Sequence, residues 1–88
     1  FVVCNNRSYR ILKYNLRHYW KDHNQPTDQA FPEAFDLARP VLRFDMLAEG
    51  QGVDAVRVEK PEEIAPALDR AFGDERPFLI DVVLDSGL

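Results

Sequence analysis

Two continuous apolar runs and one alternating segment predict three strands. Residues 1–5 and 78–84 are apolar almost throughout, as in strands covered on both faces, and only Asp81 interrupts the second run. Residues 53–58 nearly alternate between apolar and polar side chains, which is typical of a strand.

Between the first two strands the apolar period lengthens to three or four residues. This spacing places Tyr9, Leu12, Leu16 and Tyr19 on one stripe, and it predicts a helix from Tyr9 to about residue 20. Residues 22–42 have no sustained period and contain three prolines, so we expect mostly loop there. A loop of that length is often functional.

Two further helices are predicted in the second half of the chain. The apolar residues after position 43 suggest a brief helix that ends near Gly50 or Gly52. Pro61, followed by two glutamates, is a helix-start signal, and Gly73 ends that helix. Pro66 predicts a late start or a local kink, because proline removes a hydrogen bond inside a helix. The alternation of strands and helices predicts an α/β fold with a three-layer parallel sheet and flanking helices.

Charge is distributed unevenly along the chain. The 88 residues carry a net charge of −4, yet residues 1–21 contain five basic side chains and no acidic one. The overall sign argues against indiscriminate binding to nucleic acid, and no apolar stretch is long enough to span a bilayer. We therefore expect a cytoplasmic protein with neither nucleic-acid nor membrane partners. Cys4, alone in an apolar run, is expected to be a buried structural thiol.

The residues directly after the first strand are the candidate site. Ligands of a parallel sheet lie beyond the carboxyl ends of its strands, and here the sequence places Asn5, Asn6, Arg7, Ser8 and Tyr9. Amide and carbonyl oxygens suit Mg²⁺ or Ca²⁺, and the following helix offers N–H groups to a phosphate. Paired asparagines are also common turn and capping residues, so this reasoning leaves a purely structural turn open.

The same residues resemble a known family. An apolar strand that ends in Asn-Asn, followed by two residues, tyrosine and a helix, is similar to the close of the thiamine-diphosphate motif. That motif opens with Gly-Asp-Gly about thirty residues earlier, which this chain lacks. The chain most resembles the 2-oxo acid decarboxylase and acetolactate synthase enzymes of the benzoylformate decarboxylase type. The segments that carry the resemblance are 5–12, 47–49, 52–53, 56–58, 61–63, 67–68 and 77–82.

The resemblance implies a role for each residue of the turn. Asn6 would give its side-chain oxygen and Ser8 its backbone carbonyl to Mg²⁺, which holds the diphosphate of the cofactor. Tyr9 would pack beside this site, and the backbone near Arg10 and Ile11 would face the diphosphate or the reacting carbonyl. Asn5 would brace the turn.

The resemblance also implies a substrate class. Ile11 and Leu12 lie where the family shapes its pocket for 2-oxo acids. Pyruvate decarboxylases resemble this segment but carry a glutamate, which assists proton transfer, at the position of Leu12. Leucine cannot transfer a proton, so the comparison argues against a pyruvate decarboxylase mechanism of that kind. Decarboxylation of aromatic or branched 2-oxo acids and carboligation both stay open, as does the choice between a homodimer and a homotetramer.

The chain is expected to be an incomplete part of a larger enzyme. It is apolar from its first residue and would be the C-terminal portion, residues 1–88, of a diphosphate-binding domain. Without the Gly-Asp-Gly turn and the activating glutamate of a neighbouring subunit, it should be inactive alone, and we identify no catalytic residue in it. The alternative is a stand-alone α/β interaction module with a phosphate-binding turn.

Two other patterns, a histidine pair and a basic helix, are weaker indications of a functional site. His18 and His23, with Asp22 beside them, do not have the three- or four-residue spacing of ordinary helical metal pairs. The basic and aromatic residues of the first helix could contact nucleic acid, but the aromatic ones are better explained by packing.

Overall fold

The protein is described by a computed structural model that covers residues 1–88. Its elements, in chain order, are β1 (Val2–Asn5), α1 (Arg10–Asp22), α2 (Phe44–Gly50), β2 (Asp54–Val58), α3 (Ile64–Phe72) and β3 (Phe78–Val83). Short 3-10 turns cover Glu33–Phe35 and Pro61–Glu63. The chain forms two compact units: residues 1–5 with 43–84, and residues 6–42 with 85–88.

The first unit contains a parallel three-stranded sheet, which confirms the predicted α/β class. The strand order is β1-β3-β2, so the last strand of the chain lies in the centre. Val3 of β1 and Arg57 of β2 both pair with Asp81 of β3. All three strands therefore end at the same edge.

The two helices of this unit cover different parts of the sheet. Ala67 of α3 packs with Val58 and Ile80 in the buried core, and Val56 and Val82 join them from the same face. α2 packs on β2 and β3. The flanking helices of the predicted fold are thus present.

The helix ends follow the sequence signals. Gly52 has φ of +81°, and its N–H donates to the carbonyl of Glu49 at 3.0 Å, which ends α2 in the left-handed conformation that suits glycine. Pro66 is the third residue of α3, where its missing N–H would have had no helical partner. The late start predicted for this helix is confirmed.

The second unit contains α1 and the long connection after it. Trp20 is buried, and its ring stacks on that of Phe31 at 5.5 Å between centroids. The ammonium of Lys13 lies 5.7 Å from the centre of the Phe31 ring. The loop therefore returns along one face of α1.

Because of this contact, the buried residue of α1 does not belong to the apolar stripe that the sequence predicts. Leu16 is half-buried as expected, but Tyr9 and Tyr19 are 48% and 56% exposed. Trp20 is buried in their place, since the covering residue, Phe31, comes from a distant loop that the helical period does not reveal.

The first strand also differs from its prediction. Val2 is 58% exposed and Cys4 is exposed, so the expectation of a buried strand with a buried thiol was wrong. Both side chains alternate to the face of Ile80 and Val82, where α3 packs mainly on β2 and β3. No helix of the chain is long and apolar enough to cross a lipid bilayer.

Candidate functional site

A tight turn connects the end of β1 to the start of α1. Asn6 is half-buried, and its Oδ1 accepts a hydrogen bond from the N–H of Ser8 at 3.2 Å. Arg7, between them, has φ of +56°, a left-handed conformation that is uncommon for a residue with a Cβ. The local bond and this backbone conformation together reverse the chain within a few residues.

A segment of the long loop holds the turn in place. The N–H of Leu37 donates to the carbonyl of Arg7, and the N–H of Tyr9 donates to the carbonyl of Phe35, both at 2.9 Å. Ser8 and Asp36 form an antiparallel bridge between these two bonds. The turn is thus one side of a small ladder whose other side is residues 35–37.

The ladder fixes the direction of the Ser8 carbonyl. Ser8 and Asp36 form a non-hydrogen-bonded pair between the two ladder bonds. The N–H and C=O of Ser8 are therefore directed away from Asp36. The Ser8 N–H is directed at the Asn6 Oδ1. Because the N–H and C=O of an extended residue lie on the same side, the Ser8 carbonyl and the Asn6 side-chain oxygen lie on one side of the turn.

The start of α1 leaves backbone donors at the same place. Tyr9 precedes the helix, no side chain caps it, and its first turn contains no acidic residue. The N–H groups of Leu12 and Lys13 both donate to the carbonyl of Tyr9. The amides of Arg10 and Ile11 are the donors of the first turn, and the helix dipole adds a positive potential there.

These groups line one cleft of about 460 Å³, whose walls are Asn6, Ser8, Tyr9, Arg10, Ile11 and Tyr14. All five residues predicted to bind a cofactor are among them. Leu12, predicted to shape a substrate pocket together with Ile11, lies outside the lining and is 41% exposed. The role of each residue toward a ligand stays a prediction.

The oxygen atoms of the cleft fit half of the ligand set of a magnesium ion. Mg²⁺ prefers an octahedral set of oxygen ligands and usually shares them with phosphates and water. The Asn6 Oδ1 uses one lone pair for Ser8 and keeps another, and the Ser8 carbonyl oxygen lies on the same side. Two neutral oxygens beside helix amides suit a metal that is bound together with a diphosphate.

The alternative metal candidates do not come together. No group of three or more His, Cys, Asp or Glu side chains could hold an ion. His23 instead stacks on Tyr19 at 4.0 Å between ring centroids, and its Nδ1 lies 2.9 Å from the Tyr19 carbonyl oxygen. His23 therefore acts at the end of α1 as a structural residue.

Sequence reasoning missed the segment that supports the turn. Residues 35–37 lie in a region predicted to be loop, and nothing in their spacing links them to positions 7–9. The available signal was that Phe35 and Leu37 are large apolar residues on either side of Asp36 within the predicted loop. Both are half-buried.

Comparison with known proteins gave two matches. Residues 1–82 match the family described as thiamine pyrophosphate enzyme, C-terminal TPP binding domain. The chain is also 41% identical, over 85 residues, to a protein of Mycobacterium tuberculosis (strain ATCC 25618 / H37Rv) named "Putative acetolactate synthase large subunit IlvX". That similarity covers 97% of this chain but 16% of the relative, so the chain spans about a sixth of its length. No solved structure matches the chain.

Proposed function

Because the chain belongs to the thiamine pyrophosphate enzymes and matches their C-terminal cofactor-binding domain, we propose that it supplies one half of an active site for 2-oxo acids. It acts as an incomplete C-terminal portion of that domain within a longer enzyme. The similarity to a protein named as an acetolactate synthase large subunit supports this reaction class.

The observation that carries the proposal is the convergence of oxygens and amides in one cleft. The Asn6 Oδ1 and the Ser8 carbonyl lie on one side of a turn that a second segment braces. The uncapped first turn of α1 lines the same cleft through Arg10 and Ile11. This arrangement suits a metal ion and the diphosphate attached to it.

Each half of the cleft has its own task in this proposal. Asn6 and Ser8 ligate Mg²⁺, and the amides of Arg10 and Ile11 donate to the diphosphate. Tyr9 packs beside the site and limits access of water. The bound cofactor supplies the electron sink that a 2-oxo acid needs to lose its carboxyl group, while the chain supplies binding and orientation.

In this proposal Ile11 faces the substrate from the wall of the cleft. Ile11 lines the cleft, is apolar and is 68% exposed, whereas Leu12 is apolar and 41% exposed but lies outside the lining. An apolar wall accommodates the side chain of the 2-oxo acid or a second carbonyl compound. We propose carboligation of the acetolactate synthase type, with decarboxylation of the benzoylformate type as the competing outcome.

A neighbouring subunit completes the site in this proposal. Tyr14 lines the cleft and is 50% exposed, and Ile11 beside it is even more accessible. A carboxylate that activates the cofactor would come from another subunit, which would cover these apolar side chains. The parent enzyme is therefore proposed to be a homodimer or homotetramer.

Calorimetric titration of thiamine diphosphate with Mg²⁺ into the full-length parent tests the proposal. Asn6→Ala should weaken binding and its dependence on Mg²⁺, because it removes a ligand oxygen and the acceptor of the Ser8 N–H. Asn15→Ala is the matched control, since Asn15 is an exposed asparagine of α1 outside the cleft. Absence of binding to the unmodified parent would replace the enzyme by an interaction module.

The products formed from pyruvate distinguish the two reaction types. Carboligation yields a 2-hydroxy-2-methyl-3-oxo acid and one CO₂ for two pyruvates, whereas decarboxylation alone yields an aldehyde and one CO₂ for each. Formation of aldehyde without the condensed acid would reject the acetolactate synthase assignment while leaving the cofactor site intact.

A further inference from the structure

A second cavity on α1, beside the cofactor cleft, is lined by basic side chains of the helix. It has a volume of about 520 Å³, and its walls are Tyr14, Arg17, His18, Lys21 and Thr27. All five residues are exposed and belong to the unit of residues 6–42. Tyr14 also lines the cofactor cleft, but the other four do not. The proposed chemistry therefore leaves this cavity without a role.

The helical period brings the basic side chains of the cavity together. Lys21 follows Arg17 by four residues and His18 by three, so the three side chains are neighbours on the helix surface. Thr27, from the connection after the helix, adds a hydroxyl to the wall. No acidic residue is in this lining, whereas three other cavities of the chain each have one or more acidic residues in their walls. The lining of this cavity thus favours a negatively charged ligand.

The chain does not compensate the charges of Arg17 and Lys21. Neither side chain forms an ion pair or a hydrogen bond with another residue. Like charges four residues apart repel one another and destabilise a helix. The helix dipole favours a cation in the last turn, where Lys21 lies, but Arg17 precedes that turn. An anion bound between the two side chains would offset their repulsion.

We propose that this cavity binds the phosphate group of a small molecule, at a site separate from the cofactor cleft. The planar guanidinium of Arg17 matches phosphate oxygens with two parallel hydrogen bonds, and Lys21 adds a second positive charge. The hydroxyls of Tyr14 and Thr27 are further donors in the wall.

The size of the cavity sets the kind of ligand. Small-molecule sites typically have volumes of roughly 300–1,000 Å³, and this cavity lies within that range. It therefore has room for an organic group beside the phosphate. The ring of Tyr14 is the apolar surface on which such a group rests.

Calorimetric titration of phenyl phosphate into the full-length parent tests the proposal. The ionic strength is held constant, since salt screens exposed charges. The titration is done without cofactor and again with saturating thiamine diphosphate and Mg²⁺, and we expect similar affinities in both. Inorganic phosphate, titrated in the same way, distinguishes the sources of the phosphate group. Tighter binding of phenyl phosphate identifies an organic phosphate as the ligand, and equal affinities identify the free ion.

Variants of the basic side chains locate the binding. Arg17→Gln and Lys21→Gln should each weaken the affinity about 3- to 10-fold, because each removes a charged donor. Arg17→Lys keeps the charge but loses the planar pair of donors, so it should weaken binding less than Arg17→Gln does. Lys60→Gln is the matched control, since Lys60 is an exposed lysine of the other unit, and it should bind as the unmodified parent does. Circular dichroism checks that all variants are folded.

Absence of binding of either phosphate to the unmodified parent would overturn the proposal. Displacement of phenyl phosphate by thiamine diphosphate would also overturn it, because the phosphate would then occupy the cofactor cleft. Equal affinities of Lys21→Gln and Lys60→Gln would do the same by showing that no particular lysine is involved. The titration without cofactor decides even if the parent binds no thiamine diphosphate, so failure of this site and failure of the proposed function are distinguishable.

Discussion

The left-handed residue of the turn offers a direct test of how backbone conformation supports the proposed cofactor site. Arg7 has φ of +56°, and its carbonyl accepts the N–H of Leu37 at 2.9 Å. If Arg7 left this conformation, its carbonyl would turn away from Leu37, and the adjoining Ser8 carbonyl would lose its direction. Arg7→Val should do this, because a β-branched side chain is poorly tolerated at positive φ.

The size of the effect follows from the cost of the left-handed region. That region costs an ordinary L-residue about 1–2 kcal/mol, whereas asparagine is enriched there. Arg7→Asn removes the same side chain but tolerates the turn, so it is the matched comparison. The difference corresponds to an affinity for thiamine diphosphate and Mg²⁺ that is about 5- to 30-fold weaker in Arg7→Val than in Arg7→Asn.

Calorimetric titration of the two full-length variants measures this difference, with circular dichroism to confirm that both are folded. If both variants bind equally and both are weakened relative to the parent, the Arg7 side chain matters and its backbone conformation does not. Equal binding by the parent and both variants would reject any contribution of this position to the site.

Two further predictions concern the unit that contains the sheet. Arg43 donates to both carboxylate oxygens of Asp45, at 3.0 and 2.8 Å, and this hydrogen bonding holds the pKa of Asp45 below its usual value of 3.8. The resulting stabilisation is fully present above about pH 5 and is lost as the pH falls through the lowered pKa. In urea unfolding, the free energy of unfolding of Asp45→Asn should therefore fall less steeply at acid pH than that of the unmodified protein. An equally steep fall would contradict this. Ile80→Ala should cost about 2–5 kcal/mol in the same assay, since Ile80 is 3% exposed, whereas Phe72→Ala, at a residue 85% exposed, should cost much less; similar costs would contradict the assigned core.

The sequence determined the elements and the place of the candidate site. Apolar periods report local backbone geometry, and every predicted strand and helix is present to within a few residues. Pro66 and Gly52 act where their own covalent chemistry requires, at a late helix start and a left-handed helix end. The residues of the motif after β1 are contiguous in sequence, and they line one cleft.

Only the tertiary structure decided which residues meet across long separations. The strand order β1-β3-β2 leaves Val2 and Cys4 exposed beside a helix that covers the other two strands. Phe31 selects Trp20 as the buried residue of α1, in place of the tyrosines that periodicity favoured.

The support of the turn was likewise invisible in the sequence. Residues 35–37 hold the turn through backbone hydrogen bonds, which place no demand on side-chain identity. The pairing of Asp81 with Val3 of β1 likewise depends on the register of the strands. Periodicity records what each residue does for its own element. Contacts between distant segments depend on chain reversal and packing, and a single sequence does not encode these in any local pattern.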